Sequence, residues 1–274
     1  MIRASTGGRR YLDITGVPLA VLGVLLFCFL ATPVILLEQN LSVGDVATTL
    51  RDPQTKAAVM TSLGTASVTT LLIATFGVPL AYLLARFRFP GRTLISVFVF
   101  LPLVLPPVSA GILLLILYGP YGTIGQLVSP QGFTFVDSSA GIVLAQLFVA
   151  APFGIVAARS AFERLDIEYE EAAASMGATL WQNFWHVGLP MARRGIVAGL
   201  VLSWMRALGE FGATVILAYH PYSLPVLNYV NLSSTGLKEA LPLALIALVV
   251  AGGVLLLLFF LERVDWGARL TQPH

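Results

Sequence analysis

Charge is scarce in this chain: Asp, Glu, Lys and Arg together make up 11% of its 274 residues, against roughly a quarter in ordinary soluble domains. Cysteine is almost absent. Cys28 stands alone inside an apolar run, which excludes an internal disulfide, a cysteine-based metal cluster and a CxxC redox motif. His186 and His220 read as loop residues with no acidic or cysteine neighbour at ligand spacing, so no metal site is expected. No G-x4-G-K-[ST] phosphate loop occurs, which removes the usual ATP site and leaves no cofactor for the chain to hold. A net charge of +2 supplies no basic surface for nucleic acid. Polar sequence is also too short everywhere to build an independent soluble core.

What the chain has instead is apolar length. Hydrophobic residues make up 57% of it, and a bilayer core about 30 Å thick needs about 20 such residues per helix. Six runs qualify: 17–37, 57–85, 93–118, 140–158, 191–218 and 241–261. The first follows Arg9 and Arg10, as a secretory signal would. It exceeds the roughly 7 to 15 residues of a signal's apolar region and leads into Glu38, Gln39 and Asn40, so it reads as a retained helix. The expectation is an all-α membrane protein: a tail over 1–16, six transmembrane helices over 17–261, and a tail over 262–274.

Lys and Arg set the orientation. Arg3, Arg9, Arg10, Arg86, Arg88, Arg92, Arg159, Arg164, Arg193, Arg194, Arg263 and Arg269 fall on one side, and Arg51, Lys56 and Lys238 on the other. Both termini and the connections after the second and fourth runs are therefore expected in the cytoplasm of a prokaryotic cell, beneath its inner membrane. The outer connections are turn-rich, as in Tyr118-Gly-Pro-Tyr-Gly122 and Tyr219-His-Pro-Tyr-Ser223. The fourth connection differs. Ala172, Met176 and Leu180 recur at four-residue spacing opposite Glu170, which predicts a helix outside the membrane with an apolar face to cover. Glu168, Glu170 and Glu171 make anionic lipid a poor cover for it.

Within that connection, Glu171-Ala172-Ala173, three residues, Gly177, nine residues, Val187, one residue and Leu189-Pro190 follow the pattern E-A-A-x3-G-x9-I-x-L-P, with valine in place of isoleucine. The segment 163–190 thus resembles the coupling segment of ATP-binding-cassette importer permeases. Arg206-Ala-Leu-Gly-Glu210-Phe-Gly-Ala-Thr214 and Leu101-Pro-Leu-Val-Leu-Pro-Pro107 look like the molybdate, tungstate and sulfate branch of that family. These stretches cover about a quarter of the chain. The resemblance implies a type I importer-like fold and a coupling helix docked in a groove of an ATPase. It also implies a second permease copy, two ATP-binding subunits that use ATP and Mg, and an external solute-binding protein. Cargo would be a tetrahedral oxyanion carried by alternating access. A homodimer is expected, since molybdate-type permeases usually pair identical chains. Alanines keep such a helix thin, Gly177 is expected where two backbones come close, and Pro190 fits a helix's first turn.

Arg206 and Glu210 are informative without the family. An ionisable group in hydrocarbon costs roughly 2.5 to 3.5 kcal/mol, so two in one span must face protein or water. Four residues apart, they share a face and can neutralise each other, either as a buried pair that fixes packing or as part of the path. Gly209 and Gly212 beside them allow a helix to approach closely. Pro102, Pro106 and Pro107, followed by Ser109, interrupt the third run. Ser109, Ser203 and Thr214 are the hydroxyls that could pass an anion along. A secondary transporter would show internal repeats and unneutralised midplane acids, and an intramembrane enzyme a nucleophile with a base. Neither pattern occurs.

Overall fold

The structure, a computed structural model, describes residues 17–39 and 41–269, so the expected tail over 1–16 lies outside the described residues. Among those described, every regular element is helical. Helix α1 spans Val17–Gln39, α2 Val43–Arg51, α3 Pro53–Leu72 and α4 Val78–Arg86. Next come α5 (Arg92–Val104), α6 (Pro107–Tyr118), α7 (Thr123–Val128) and α8 (Ser139–Glu163). The fourth connection forms α9 (Glu168–Ser175) and α10 (Leu180–Asn183). The chain ends with α11 (Leu189–Leu208), α12 (Gly212–Leu217), α13 (Leu224–Ser234) and α14 (Leu237–Arg269), the last taking in part of the expected tail over 262–274.

Two of the six expected spans are broken. The third divides into α5 and α6 at Leu105-Pro106, because Pro106 and Pro107 supply no amide hydrogens and push the residues before them into extended backbone. At 12 residues α6 is about 18 Å long, too short to cross alone, so α5 and α6 together make one crossing. The fifth stops at Leu208, turns through Gly209 to Phe211, and resumes as α12. Two π turns also occur among the described residues, Ile73–Gly77 within the second crossing and Phe184–Gly188 between α10 and α11, each ending two residues ahead of a proline, Pro79 and Pro190. The turn shifts the hydrogen-bond register by one residue and accommodates the missing proline donor without a break.

Helix α8 is the central post, and α3, α4, α5, α11 and α12 all pack on it. Small residues bring α11 unusually close: a Cβ at Gly195 would lie 2.5 Å from Ala161 Cβ, and one at Gly199 2.6 Å from Ala157 Cβ. A buried polar seam ties α3 to α8. The Thr69 hydroxyl donates to Gln146 Oε1 (3.0 Å), and Gln146 Nε2 donates to Thr65 Oγ1 (3.1 Å). Ser62 Oγ accepts the Leu224 amide hydrogen (2.7 Å) and so fixes the start of α13 against α3. Outside the membrane, Asp52 caps α3, and the Thr55 amide holds its carboxyl below the usual range. The perimeter is apolar: Leu71, Phe76, Val104 and most of α1 are exposed, as a lipid-facing surface requires.

A valine at Gly199 should therefore lower stability by about 1 to 3 kcal/mol through overpacking. Gly64→Ala, in the interior of α3 with its methyl in open space, should instead raise it by about 0.5 to 1 kcal/mol. Chemical unfolding of the two variants in detergent micelles checks the contrast, and equal midpoints would show that the α8–α11 contact is looser than its geometry.

Candidate functional site

Two places concentrate the residues singled out from sequence: the α9–α10 segment and the paired breaks of the third and fifth crossings. Helix α9 opens with Glu168, Glu170 and Glu171 in its first turn, where carboxylates favour the positive end of the helix dipole. It does not continue to Leu180. Met176 ends it and Gly177 adopts φ +89°, with the Ala178 amide donating to Ala173 O and the Gly177 amide to Ala174 O. This closes the helix in a left-handed glycine cap. Thr179 and Gln182 then form a reciprocal capping box for α10.

Two expectations change here, and that for Gly177 gains a local reason. Ala172, Met176 and Leu180 do not share one helix face, because the chain turns between the second and third. A Cβ at Gly177 would meet nothing of this chain within 4 Å, and its left-handed backbone conformation by itself calls for glycine. His186 lies in the π turn and not a loop, its Nδ1 3.0 Å from Gln182 O.

Burial within the segment is the reverse of an ordinary amphipathic helix. Met176 is 84% exposed and Trp181 65%, with Tyr169, Leu180 and Trp185 also turned outward. Glu171 and Ala172 are exposed, Ala173 is half-buried, and Pro190 stands in the first turn of α11 beside half-buried Leu189. The one buried residue of α9 is Glu170. Its Oε1 accepts from Arg86 Nε (2.9 Å) and its Oε2 from the Tyr82 hydroxyl (2.9 Å), while Arg86 also donates to Leu165 O (3.2 Å). Asn183 Nδ2 donates to the Glu170 carbonyl (2.9 Å), joining α10 to α9. Sequence reading passed over Glu170 as a solvent-facing acid. Its partners on α4 are more than eighty positions away, and no local spacing signals them.

The two breaks lie against each other. A Cβ at Gly212 would sit 2.7 Å from Pro107 Cβ, and one at Gly111 2.9 Å from both Cα and O of Ala213. Pro107 and Gly212 are thus contact partners. Gly209 has no neighbouring helix within that range, contrary to expectation. Glu210 is fully buried. Its Oε1 accepts the Ala213 amide hydrogen (2.8 Å), so the carboxylate caps α12. Its Oε2 lies 2.6 Å from Arg206 Nη2, an ion pair in distance though not aligned as a hydrogen bond, and Arg206 is the more open partner at 27% side-chain exposure.

The three hydroxyls divide. Ser203 Oγ donates to Ala150 O (3.1 Å) and is committed to the α11–α8 contact, so it is not available to an anion. Thr214 Oγ1 is buried without a partner, and Ser109 is half-buried in the first turn of α6. Pro106 is exposed at the break.

Comparison with known proteins follows the same outline. The family model described as binding-protein-dependent transport system inner membrane component matches residues 77–269, a range that contains both places. A probable molybdenum ABC transporter permease protein of Haloferax volcanii is 43% identical over 266 residues, covering 96% of this chain and 97% of the relative. The molybdate/tungstate transport system permease protein WtpB of Thermococcus kodakarensis is 38% identical, covering 88% of this chain and 94% of the relative. A solved bacterial ABC transporter involved in the import of the acidic polysaccharide alginate superposes at TM-score 0.73 and 20% identity, covering 93% of this chain and 96% of that one. That last likeness is one of fold.

The geometry at Glu210 makes the pair asymmetric. Arg206→Ala strands a fully buried carboxylate and should cost about 3 kcal/mol, whereas the same change in a Glu210→Gln background, where a neutral acceptor still serves Ala213, should cost less than about 1 kcal/mol. A double-mutant cycle by unfolding in detergent measures both. Simple additivity would mean that the two charges do not feel each other.

Proposed function

The chain belongs to the family of binding-protein-dependent transport system inner membrane components, and we propose that it forms the path for a tetrahedral oxyanion in an ATP-driven importer. Molybdate or tungstate comes first as cargo and sulfate second. Its relatives are transporter permeases, so no chemical step falls to this chain. An importer of this family works with an ATPase and a substrate-binding protein. In our reading two identical copies meet two ATP-binding subunits, which hold ATP and Mg, and both termini lie in the cytoplasm of a prokaryotic cell.

The observation that carries the docking half of this reading is the outward surface of Met176, Leu180, Trp181 and Trp185 on a segment anchored from behind by Glu170. Exposed aromatics on a short, well-capped element are what a partner groove takes in. The exposed Glu171 beside them favours a groove with basic residues. ATP binding closes the ATPase pair, draws the two docking segments together and turns the bundle outward; hydrolysis returns it.

The cargo half rests on relatives named for molybdenum, molybdate and tungstate at 38 to 43% identity over most of the chain. The site chemistry agrees with it. A dianion needs donors that release it, and a Thr214 hydroxyl without a partner, with Ser109 on the facing helix, meets that need better than a free arginine. Glu210 keeps Arg206 neutralised.

Trp181→Glu and Glu171→Lys should each weaken association with the ATPase by about 2 kcal/mol, roughly thirtyfold, without impairing membrane insertion. Co-purification in detergent reads this, and wild-type recovery of the ATPase with both variants would remove the docking assignment. Cargo is tested separately, by uptake into vesicles containing the full assembly with molybdate, tungstate, sulfate, a sugar or an amino acid offered on its own binding protein. Oxyanion uptake is expected; uptake of only the sugar or the amino acid would overturn the cargo and leave the importer standing.

A further inference from the structure

Helix α9 has one buried side chain, and it is a carboxylate. An apolar residue would have anchored the helix at a smaller desolvation cost. Glu170 instead reaches two donors one turn apart on α4, Arg86 Nε and the Tyr82 hydroxyl, both at 2.9 Å. Both members of the ion pair are under a tenth exposed, where such a pair is little screened and costly to separate. Two directional bonds fix distance and angle together, which a greasy contact does not.

The surroundings extend the joint in both directions. On the docking side, Asn183 binds the Glu170 carbonyl and so attaches α10, whose Trp181 lies on the exposed surface. On the membrane side, Tyr82 packs edge-on against Phe162 of α8, ring centroids 5.1 Å apart, and against Phe184 at the same distance. Gly188 leaves room for this: a Cβ there would lie 3.1 Å from the Tyr82 ring and 3.6 Å from Glu170 Oε1. The docking segment is continuous in chain with α8 and α11. Its link to the second crossing, by contrast, is non-covalent and centres on Glu170.

We propose that Glu170, gripped by Arg86 and Tyr82, is the positioning residue that makes the docking segment and the cytoplasmic end of the second crossing move as one body when the ATPase closes. The proposal rests on the docking reading above. Glu171, one residue on and rotated by about 100° around the helix, faces outward and serves the docking surface. Adjacent carboxylates thus divide two tasks, one toward the ATPase and one toward the bundle.

The test uses the full assembly in lipid vesicles, with spin labels at Leu83→Cys on α4 and Ser175→Cys, exposed at the end of α9 and outside the named docking surface, in a Cys28→Ser background. With the pair intact, the 83–175 separation should be the same with and without vanadate-trapped nucleotide. In Glu170→Gln it should shift on trapping, and ATP hydrolysed per anion imported should rise about tenfold. Tyr82→Phe, which removes one hydroxyl and spares the fold, should move both readouts in the same direction by less. The exchange Arg86→Glu with Glu170→Arg should bring the ratio back toward that of the parent. A separation that shifts equally with and without the pair would overturn the proposal. So would a parallel fall of hydrolysis and uptake at constant ratio, because that is what a merely structural residue gives. Mobility of the 175 label, next to the docking surface, distinguishes the underlying reading. A label that the ATPase subunit fails to immobilise removes the docking assignment and the proposal with it, whereas an immobilised label with unchanged separation and ratio in Glu170→Gln removes the proposal alone.

Discussion

A backbone amide or carbonyl in hydrocarbon has no water to turn to, and the rest of this structure follows from that constraint. Irregular backbone is allowed only where protein covers it. Among the described residues two full interruptions lie inside crossings, at Leu105-Pro106 and at Gly209 to Phe211, and they are stacked through Pro107, Gly111, Gly212 and Ala213. The stacking buries Gly111, Gly212 and Ala213, while Pro106 and Gly209 stay exposed. Glu210 completes the arrangement by accepting the Ala213 amide hydrogen, which α12 has no preceding turn to satisfy. A buried charge at that depth requires a counter-charge, and Arg206, one turn back on α11, supplies it.

The two π turns share a local cause. Gly77-Val78-Pro79 and Gly188-Leu189-Pro190 repeat one solution to one problem. A proline in a helix leaves a carbonyl without its donor, and widening the preceding turn lets the Val78 amide reach Ile73 O and the Leu189 amide reach Phe184 O. The helices continue through these points. Where two prolines are adjacent, at Pro106-Pro107, widening is not enough and the helix breaks.

Legibility from sequence tracks the range of the interaction. Apolar length is local, and the crossings were readable from it; the spacing of Glu171, Gly177 and Pro190 marked out the segment that forms α9 and α10. Helix ends need capping geometry, which is semi-local: the prolines gave the break in the third crossing, but at Gly177 only a packing reason was read and the left-handed cap was missed. The four-residue rhythm of Ala172, Met176 and Leu180 suggested one face because periodicity cannot see a turn between Met176 and Leu180. Long-range pairs were invisible. Arg86 counted as one more cytoplasmic charge, and nothing near Glu170 distinguished it from Glu168 or Glu171. Ser203 failed as a pathway hydroxyl for the same reason, since Ala150, its acceptor, is on another helix.

Charge placement separates the two working regions by chemistry as well as by position. On the α9–α10 segment net-charged side chains are exposed: Glu168 and Glu171 lie outward, and the one buried acid of α9, Glu170, is neutralised by Arg86. Around the breaks no unneutralised charge is buried, because Glu210 is paired and Arg206 is its pair. An importer whose path held a free arginine would bind a dianion tightly and release it slowly, while one holding a free carboxylate would repel it. On the proposed reading that these groups line the path, a neutral pair beside a hydroxyl avoids both, and discrimination among oxyanions of like charge and shape falls to whatever delivers them.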